Sequence, residues 1–213
     1  MNIISLFSGA GGLDRGFEAA GFKTIWANEY DKDIWETFEK NFPDTKLDRR
    51  SIRHVPSDEI PDCDGIIGGP PCQSWSEAGA LRGIKDQRGQ LFYEFIRILR
   101  DKKPKFFLAE NVSGMLAARH SEALCNIQEL FAESGYMLSF ALLNAANYGV
   151  PQDRQRVFFI GVRSDLKVTY EFPGSIESKL FLKDRIFDIQ ESALPAKDKQ
   201  RTNGSQLGET VLL

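Results

Sequence analysis

The chain has 213 residues, 42% of them hydrophobic, which is enough for one large domain with a buried core. No apolar run approaches the ~18 residues that cross a bilayer, and the N-terminus lacks the basic region of a signal peptide. The net charge of −3 argues weakly against nucleic-acid binding through bulk charge. A local basic cleft, or a partner chain that supplies positive surface, is still compatible with that charge.

The three cysteines cannot all pair, and neither they nor the two histidines show the spacing of metal ligands. This pattern favours a reducing cytoplasm. We expect His54 and His120 to be surface residues and not ligands. Cys63 and Cys125 are predicted to be small, buried apolar residues.

Apolar runs of strand length alternate with amphipathic stretches of helix length. We predict strands at 3–7, 23–28, 65–68, 105–109, 137–144 and 156–162, and helices at 13–20, 31–41, 89–102 and 121–134. This alternation predicts an α/β fold with a doubly wound, mostly parallel sheet. Ligands of such sheets bind beyond the carboxyl ends of the strands. Four candidate functional residues directly follow predicted strands: Gly9, Glu29, Cys72 and Glu110.

The C-terminal part of the chain differs in composition. Residues 1–190 are predicted to form one catalytic domain, with a short helix at 183–190. Residues 191–213 are polar and aperiodic, and we expect them to be disordered or to begin a further part of the protein.

A glycine-rich turn, Phe7-Ser8-Gly9-Ala10-Gly11-Gly12, joins the first predicted strand to the first helix. Glycines let the backbone approach a ligand closely, and Glu29, 20 residues after Gly9, could accept both hydroxyls of a ribose. The dinucleotide pattern G-x-G-x-x-G fails, because its third glycine is Asp14 here. An adenosine cofactor without a pyrophosphate fits better, and S-adenosylmethionine is the obvious candidate. The alternative is a tight turn that binds nothing.

Cys72 lies on a loop stiffened by two prolines, in the run Gly69-Pro70-Pro71-Cys72-Gln73. A thiol of ordinary pKa needs a soft electrophile or local activation. C6 of cytosine becomes such an electrophile when an acid binds N3 and a cation holds O2. Glu110 could supply the acid, and Arg156 or Arg154 the cation. A cytosine attacked in this way has to leave the duplex stack.

Each of these residues also has a purely structural interpretation. Cys72 could be a small apolar residue, and Glu110 could cap the following helix. Arg154 and Arg156 could be solvated charges at a strand edge. Trp75 could anchor the core or face DNA, and the sequence leaves that choice open.

These motifs, together with Asn28-Glu29-Tyr30, Glu110-Asn111-Val112 and Gln152-Asp153-Arg154-Gln155-Arg156, resemble the bacterial DNA (cytosine-5)-methyltransferases. The resemblance covers about residues 2–190, and residues 65–99 look most like the restriction–modification enzymes that modify GGCC. It implies a Rossmann-like methyltransferase fold, S-adenosylmethionine as cofactor and double-stranded DNA as substrate.

The resemblance also implies roles for individual residues. Cys72 matches the nucleophile, Glu110 the group that binds N3 and the exocyclic amine, and Arg156 the O2 contact, with Arg154 close by. The matching cofactor contacts are Phe7, Gly9, Gly11, Leu13, Glu29, Tyr30, Ile52 and Leu91. Among these, Glu29 matches the ribose ligand and Tyr30 the ring that packs on adenine.

The chain departs from the family pattern in two places. Ser51 stands where the family usually has an aspartate that binds the adenine amine. The family continues past residue 213 into a target-recognition domain and a segment that completes the catalytic domain. We therefore expect a truncated form or a split subunit that needs a second polypeptide. Two alternatives are an inactive remnant that binds cofactor or a partner protein, and, more weakly, a nicotinamide oxidoreductase.

Overall fold

The computed structural model describes residues 1–71, 89–176 and 180–181. Cys72, Trp75 and the predicted helix at 183–190 lie outside these residues. The described strands are β1 (Asn2–Leu6), β2 (Lys23–Asn28), β3 (Lys46–Asp48), β4 (Gly65–Gly68), β5 (Phe106–Val112), β6 (Tyr136–Asn144) and β7 (Gln155–Arg163). The α-helices are α1 (Gly12–Ala19), α2 (Lys32–Asn41), α3 (Gly89–Lys102) and α4 (Ser121–Glu133). Short 3-10 helices include Ile52–His54. In the described part of the chain, no helix is long and apolar enough to cross a membrane.

The seven strands form one sheet in the order β3-β2-β1-β4-β5-β7-β6. The pairs β1–β2, β1–β4, β2–β3 and β4–β5 are parallel, and β5–β7 is antiparallel. The order reverses at β1 and β4, and ligands of such sheets bind at that reversal. The prediction of a doubly wound, mostly parallel α/β sheet is confirmed.

Helix boundaries follow local capping signals. Helix α1 follows Gly11, which has a left-handed backbone, and the chain leaves it through Gly21, whose φ is +84°. Helix α2 begins after Asp31, whose side chain accepts a hydrogen bond from the Asp33 N–H at 3.0 Å. Both signals are visible in the sequence, and both helices occur where they were predicted.

The main core lies against the face of the sheet that packs on α3 and α4. Its largest fully buried side chains include Trp26, Phe95, Phe107 and Phe131, and the rings of Phe107 and Phe131 stack with centroids 4.3 Å apart. A smaller cluster around Ile3 and residues of β4, β5 and β7 packs with α1. The sheet is therefore covered on both faces, as its apolar strands require.

Two expectations about the burial of single residues are wrong. His120 is only 7% exposed, not a surface residue, because the chain turns there into α4. Cys125 lies on the exposed side of α4 and is not buried. The expectation for Cys63 agrees better with the structure, since its half-buried side chain packs against the main core.

The chain divides into two compact units, residues 1–143 with 155–173, and residues 144–154 with 174–213. In the second unit the Asn144 amide donates to Asp153 at 2.7 Å, and the Ile176 N–H donates to the Asn147 carbonyl at 2.9 Å. The predicted domain boundary at residue 190 lies outside the described residues.

Asp14 is a fully buried carboxylate that ties α1 to two strands. Ser5 of β1 donates to it at 3.0 Å and Thr24 of β2 at 3.2 Å. Burial raises the pKa of the Asp14 carboxyl, and the two hydroxyl donors act in the opposite direction. The position that would be the third glycine of a dinucleotide motif is thus filled by a structural acid.

We expect Ser5→Ala to lower the free energy of unfolding by about 1–3 kcal/mol, because it removes a hydrogen-bond donor from a buried carboxyl group. The hydroxyl stabilises the charged form, so its loss raises the folded-state pKa of Asp14 further. The cost should therefore be larger at pH 7 than at pH 4, where the carboxyl is closer to full protonation in both folded and unfolded chains. Urea unfolding at the two pH values measures it. Ser139→Ala, which removes an exposed bond to the Tyr170 carbonyl, is the control. An equal cost at both pH values would contradict this account of Asp14.

Candidate active site

The glycine-rich turn after β1 adopts a backbone that few residues accept. Phe7, Gly9 and Gly11 have φ values of +54°, +55° and +86°. A Cβ at Gly11 would lie 2.1 Å from the Phe42 ring, so a side chain is excluded there by close packing. A Cβ at Gly9 would meet no described residue within 4 Å. Among the described residues, close packing therefore does not require a glycine at position 9, whereas its positive φ favours one.

Glu29 holds that turn from the end of β2. One carboxylate oxygen accepts the Gly9 N–H at 2.9 Å, and the other accepts the Asp31 N–H at 2.8 Å. The Glu29 carbonyl also accepts the indole N–H of Trp35 at 2.8 Å. The acid predicted to bind a ribose is thus fixed beside the turn by backbone donors.

The end of β3 is joined to the end of β2 by Asn28. Its buried amide donates to the carbonyls of Asp48 at 3.0 Å and Arg50 at 2.8 Å. These two bonds set the path of the chain into Ser51 and the 3-10 helix that follows. Local sequence patterns predict no role for Asn28, because its hydrogen-bond partners lie 20 and 22 positions away.

The remaining predicted cofactor residues differ in exposure. Tyr30 is 72% exposed beside Glu29, and its ring is accessible to a ligand. Ile52 is buried in the main core, where Leu91 also packs, and Leu13 packs in the smaller cluster. The turn follows β1, and Glu29 and Tyr30 follow β2, at the carboxyl ends of these neighbouring parallel strands. An exposed aromatic ring and a carboxylate beside a glycine-rich turn are of the kinds that hold an adenosine cofactor, and that role of Glu29 and Tyr30 stays a prediction.

Glu110 is paired with Arg156 across two strands. The Arg156 Nε lies 2.9 Å from Glu110 Oε1, and both side chains are about a quarter exposed, at 25% and 22%. The expectation that Glu110 follows its strand is wrong. Because β5 continues to Val112 by antiparallel pairing with β7, Glu110 lies inside it, opposite Phe158, and Val112 lies opposite Arg156.

The loop that leads to Cys72 begins beside this ion pair. A Cβ on Gly69 would lie 3.4 Å from Glu110 Oε2, and the buried amide of Asn111 donates to the Pro70 carbonyl at 3.0 Å. Pro70 is two residues before Cys72, which itself lies outside the described residues. Asn111 has no assigned role in the sequence analysis. The structure gives it one, because its amide anchors the proline segment to β5.

Arg154 belongs to the second compact unit. Its N–H donates to the Asn144 side chain at 3.3 Å, and its carbonyl accepts the Ala145 N–H at 2.9 Å. The structure therefore fixes the backbone of Arg154 within that unit. Its predicted place near O2 of a base stays a prediction.

Comparison with known proteins decides the family. Residues 1–209 match the family described as C-5 cytosine-specific DNA methylase. The chain belongs to this family. The motifs around Cys72, Glu110 and the two arginines predicted that the chain resembles the DNA (cytosine-5)-methyltransferases. That prediction is confirmed.

Several curated methylases are close in sequence. The chain is 61% identical to type II methyltransferase M.FnuDI of Fusobacterium nucleatum over 95% of its own length and 60% of that protein. It is 57% identical to M.NgoPII of Neisseria gonorrhoeae, over 95% of this chain and 61% of that one. The chain thus spans about three fifths of the length of these methylases. M.AquIA of Picosynechococcus is 44% identical, over 80% of this chain and 75% of that one.

Solved methylase structures share the fold. A prophage protein of E. coli, assigned as a DNA modification methyltransferase, superposes with a TM-score of 0.75 at 33% identity, over 88% of this chain and 54% of that one. DNMT2 of Spodoptera frugiperda superposes with a TM-score of 0.66 at 25% identity, over 84% of this chain and 55% of that one. The sheet described above is therefore a methyltransferase sheet, and its family implies S-adenosylmethionine as cofactor.

Proposed function

We propose that this chain is the catalytic part of a DNA (cytosine-5)-methyltransferase that methylates C5 of a flipped cytosine through a covalent Cys72 adduct. The observation that carries the proposal is the contact between Glu110, its partner Arg156 and the start of the Cys72 loop. The family membership and the relatives named as type II methyltransferases support it.

Glu110 and Arg156 are the groups that recognise the base. The Glu110 carboxyl binds N3 and the exocyclic amine of cytosine, and the Arg156 guanidinium binds O2. Their mutual ion pair at 2.9 Å keeps both side chains aimed at one place before a base arrives. When the base enters, this ion pair breaks, and Glu110 and Arg156 each form their own contacts with the edge of the cytosine ring.

The thiolate of Cys72 adds to C6 of the ring, and the electron pair of the C5–C6 bond becomes available at C5. Protonation or hydrogen bonding at N3 by Glu110 and the cation at O2 stabilise the negative charge that develops. Bound S-adenosylmethionine supplies a methyl group attached to a positively charged sulfur. Methylation of C5 would break the bond between the sulfur and that methyl group and leave neutral S-adenosylhomocysteine. The C5 proton would then pass to water, its electron pair would restore the C5–C6 double bond, and the C6–S bond would break to return the Cys72 thiolate.

The chain just before Cys72, at Pro70, is held by the neighbouring strand β5. The Asn111 bond to Pro70 fixes the segment two residues before the thiol, and the prolines limit its backbone freedom. A cytosine in duplex DNA is inaccessible to this thiol, so the substrate is a base rotated out of the stack.

Transfer of a radiolabelled methyl group to duplex DNA tests the proposal. The assay uses the chain alone and the chain mixed with a second polypeptide that carries a target-recognition domain. We expect methylated cytosine in at least one of the two preparations. Cofactor binding without methyl transfer in either preparation would instead favour an inactive remnant, the alternative that the serine at position 51 keeps open.

A further inference from the structure

Arg97 of α3 is bound to the segment 52–57, which lies 40 to 45 positions away in the sequence. Its Nη2 donates to the carbonyls of Ile52 at 3.2 Å and Val55 at 3.1 Å, and its Nη1 donates to Ser57 Oγ at 2.6 Å. Its Nε donates to Glu94 at 2.7 Å on the same helix. The guanidinium therefore joins α3 to residues 52–57.

The segment that Arg97 holds has little regular structure of its own. The 3-10 helix Ile52–His54 has three residues, and its backbone bonds are His54 N–H to Ser51 O at 2.8 Å and Val55 N–H to Ile52 O at 3.3 Å. A single 3-10 turn is a weak structure without outside contacts. Arg97 binds two of its carbonyls with Nη2 while Nη1 binds Ser57 and Nε binds Glu94. A planar guanidinium reaches these acceptors with three separate nitrogens, which the single nitrogen of an ammonium group cannot do.

The same segment continues directly from the wall of the cofactor site. Asn28 at the end of β2 binds the Arg50 carbonyl, and Ser51 and Ile52 follow. One end of the segment is thus fixed by β2, next to Glu29, and the other by Arg97. Helix α3 also carries Leu91, and it begins at Gly89, directly after the sequence segment that contains Cys72.

We propose that Arg97 is a positioning residue for the cofactor site: it holds residues 51–55 in the conformation that receives the adenosine group. This rests on the proposed function, in which that group belongs to S-adenosylmethionine. Arg97 touches neither cofactor nor base in this account. It acts through the carbonyls of Ile52 and Val55, so its loss weakens cofactor binding and leaves DNA binding unchanged.

Isothermal calorimetry with S-adenosylmethionine on Arg97→Met, Arg97→Lys and wild type tests the proposal. We expect about a tenfold increase in Kd for Arg97→Met and a smaller one for Arg97→Lys, because lysine keeps the charge but has one nitrogen to bind the carbonyls, Ser57 and Glu94. Hydrogen exchange at the Ile52–Val55 amides should accelerate in the same order. The Kd for duplex DNA, measured by fluorescence anisotropy, should stay within twofold.

Arg100→Met is the matched control, since Arg100 lies on the same helix but binds Ser134 and Glu133 of the α4 end. It should leave the cofactor Kd within twofold of wild type. A folded Arg97→Met, or Arg97→Lys if the first variant fails to fold, with an unchanged cofactor Kd and unchanged exchange would overturn the proposal. A wild-type chain that binds no cofactor, either alone or mixed with the second polypeptide, would instead refute the proposed function.

Discussion

Replacing Cys72 by serine is expected to reduce methyl transfer by a factor of at least about 10⁴ in the preparation that is active. A serine hydroxyl is almost never ionised at neutral pH and is a far weaker nucleophile than a thiolate toward C6 of cytosine. The change replaces one sulfur atom by oxygen and hardly alters the volume of the side chain, so the fold and cofactor binding should be retained. Single-turnover transfer to duplex DNA measures the chemical step without product release.

The other two cysteines provide controls for this experiment. Burial raises the pKa of the Cys63 thiol to about 12, so it carries almost no thiolate at neutral pH. Cys125 is exposed on α4 and accessible to thiol reagents, but it does not follow a strand. Cys125→Ser should therefore keep transfer within twofold of wild type. Methyl transfer that persists in Cys72→Ser would refute the covalent chemistry.

Glu110→Gln is expected to lower the rate of methyl transfer about 10²–10⁴-fold, the usual contribution of a general acid. Glutamine has the same shape, but it cannot supply a proton to N3, and its amide cannot form the ion pair with Arg156. The loss should lie in the single-turnover rate constant, with a smaller change in cofactor Kd. Comparing the two quantities separates a chemical role from damage to the fold.

Glu133→Gln provides the matched control for this substitution. Glu133 is an exposed acid that also pairs with an arginine, Arg100, at 3.4 Å, but it is the last residue of α4 and follows no strand. Its loss should change neither transfer nor stability measurably, as is usual for exposed ion pairs. If Glu110→Gln behaved like Glu133→Gln, Glu110 would be a structural residue only.

Much of this fold could be predicted because its signals are local. Strand β2, strand β4 and helix α3 begin and end at the predicted residues. Each has a clear apolar pattern with glycine, proline or a capping residue nearby. The alternation of such strands and helices was sufficient to predict the doubly wound sheet.

The errors and omissions share a physical cause, which is contact between distant parts of the chain. Strand β5 runs three residues beyond its predicted end because β7 pairs with it, and that pairing moves Glu110 from a loop into a strand. The bonds of Asn111 to Pro70 and of Arg97 to Ile52 span about 40 residues or more. Periodicity and local propensity carry no information about such bonds, so the supporting residues of the site could not be predicted.

The covalent step can be observed directly with a duplex that contains 5-fluorocytosine at the target position. After attack at C6 and methyl transfer, fluorine at C5 cannot leave as a proton does, so the protein stays attached to the DNA. Mass spectrometry of the digested adduct in the presence of S-adenosylmethionine should find the attachment on the peptide that contains Cys72, and none in Cys72→Ser. An adduct on another residue, or methyl transfer to ordinary cytosine by a preparation that forms no adduct, would contradict the account.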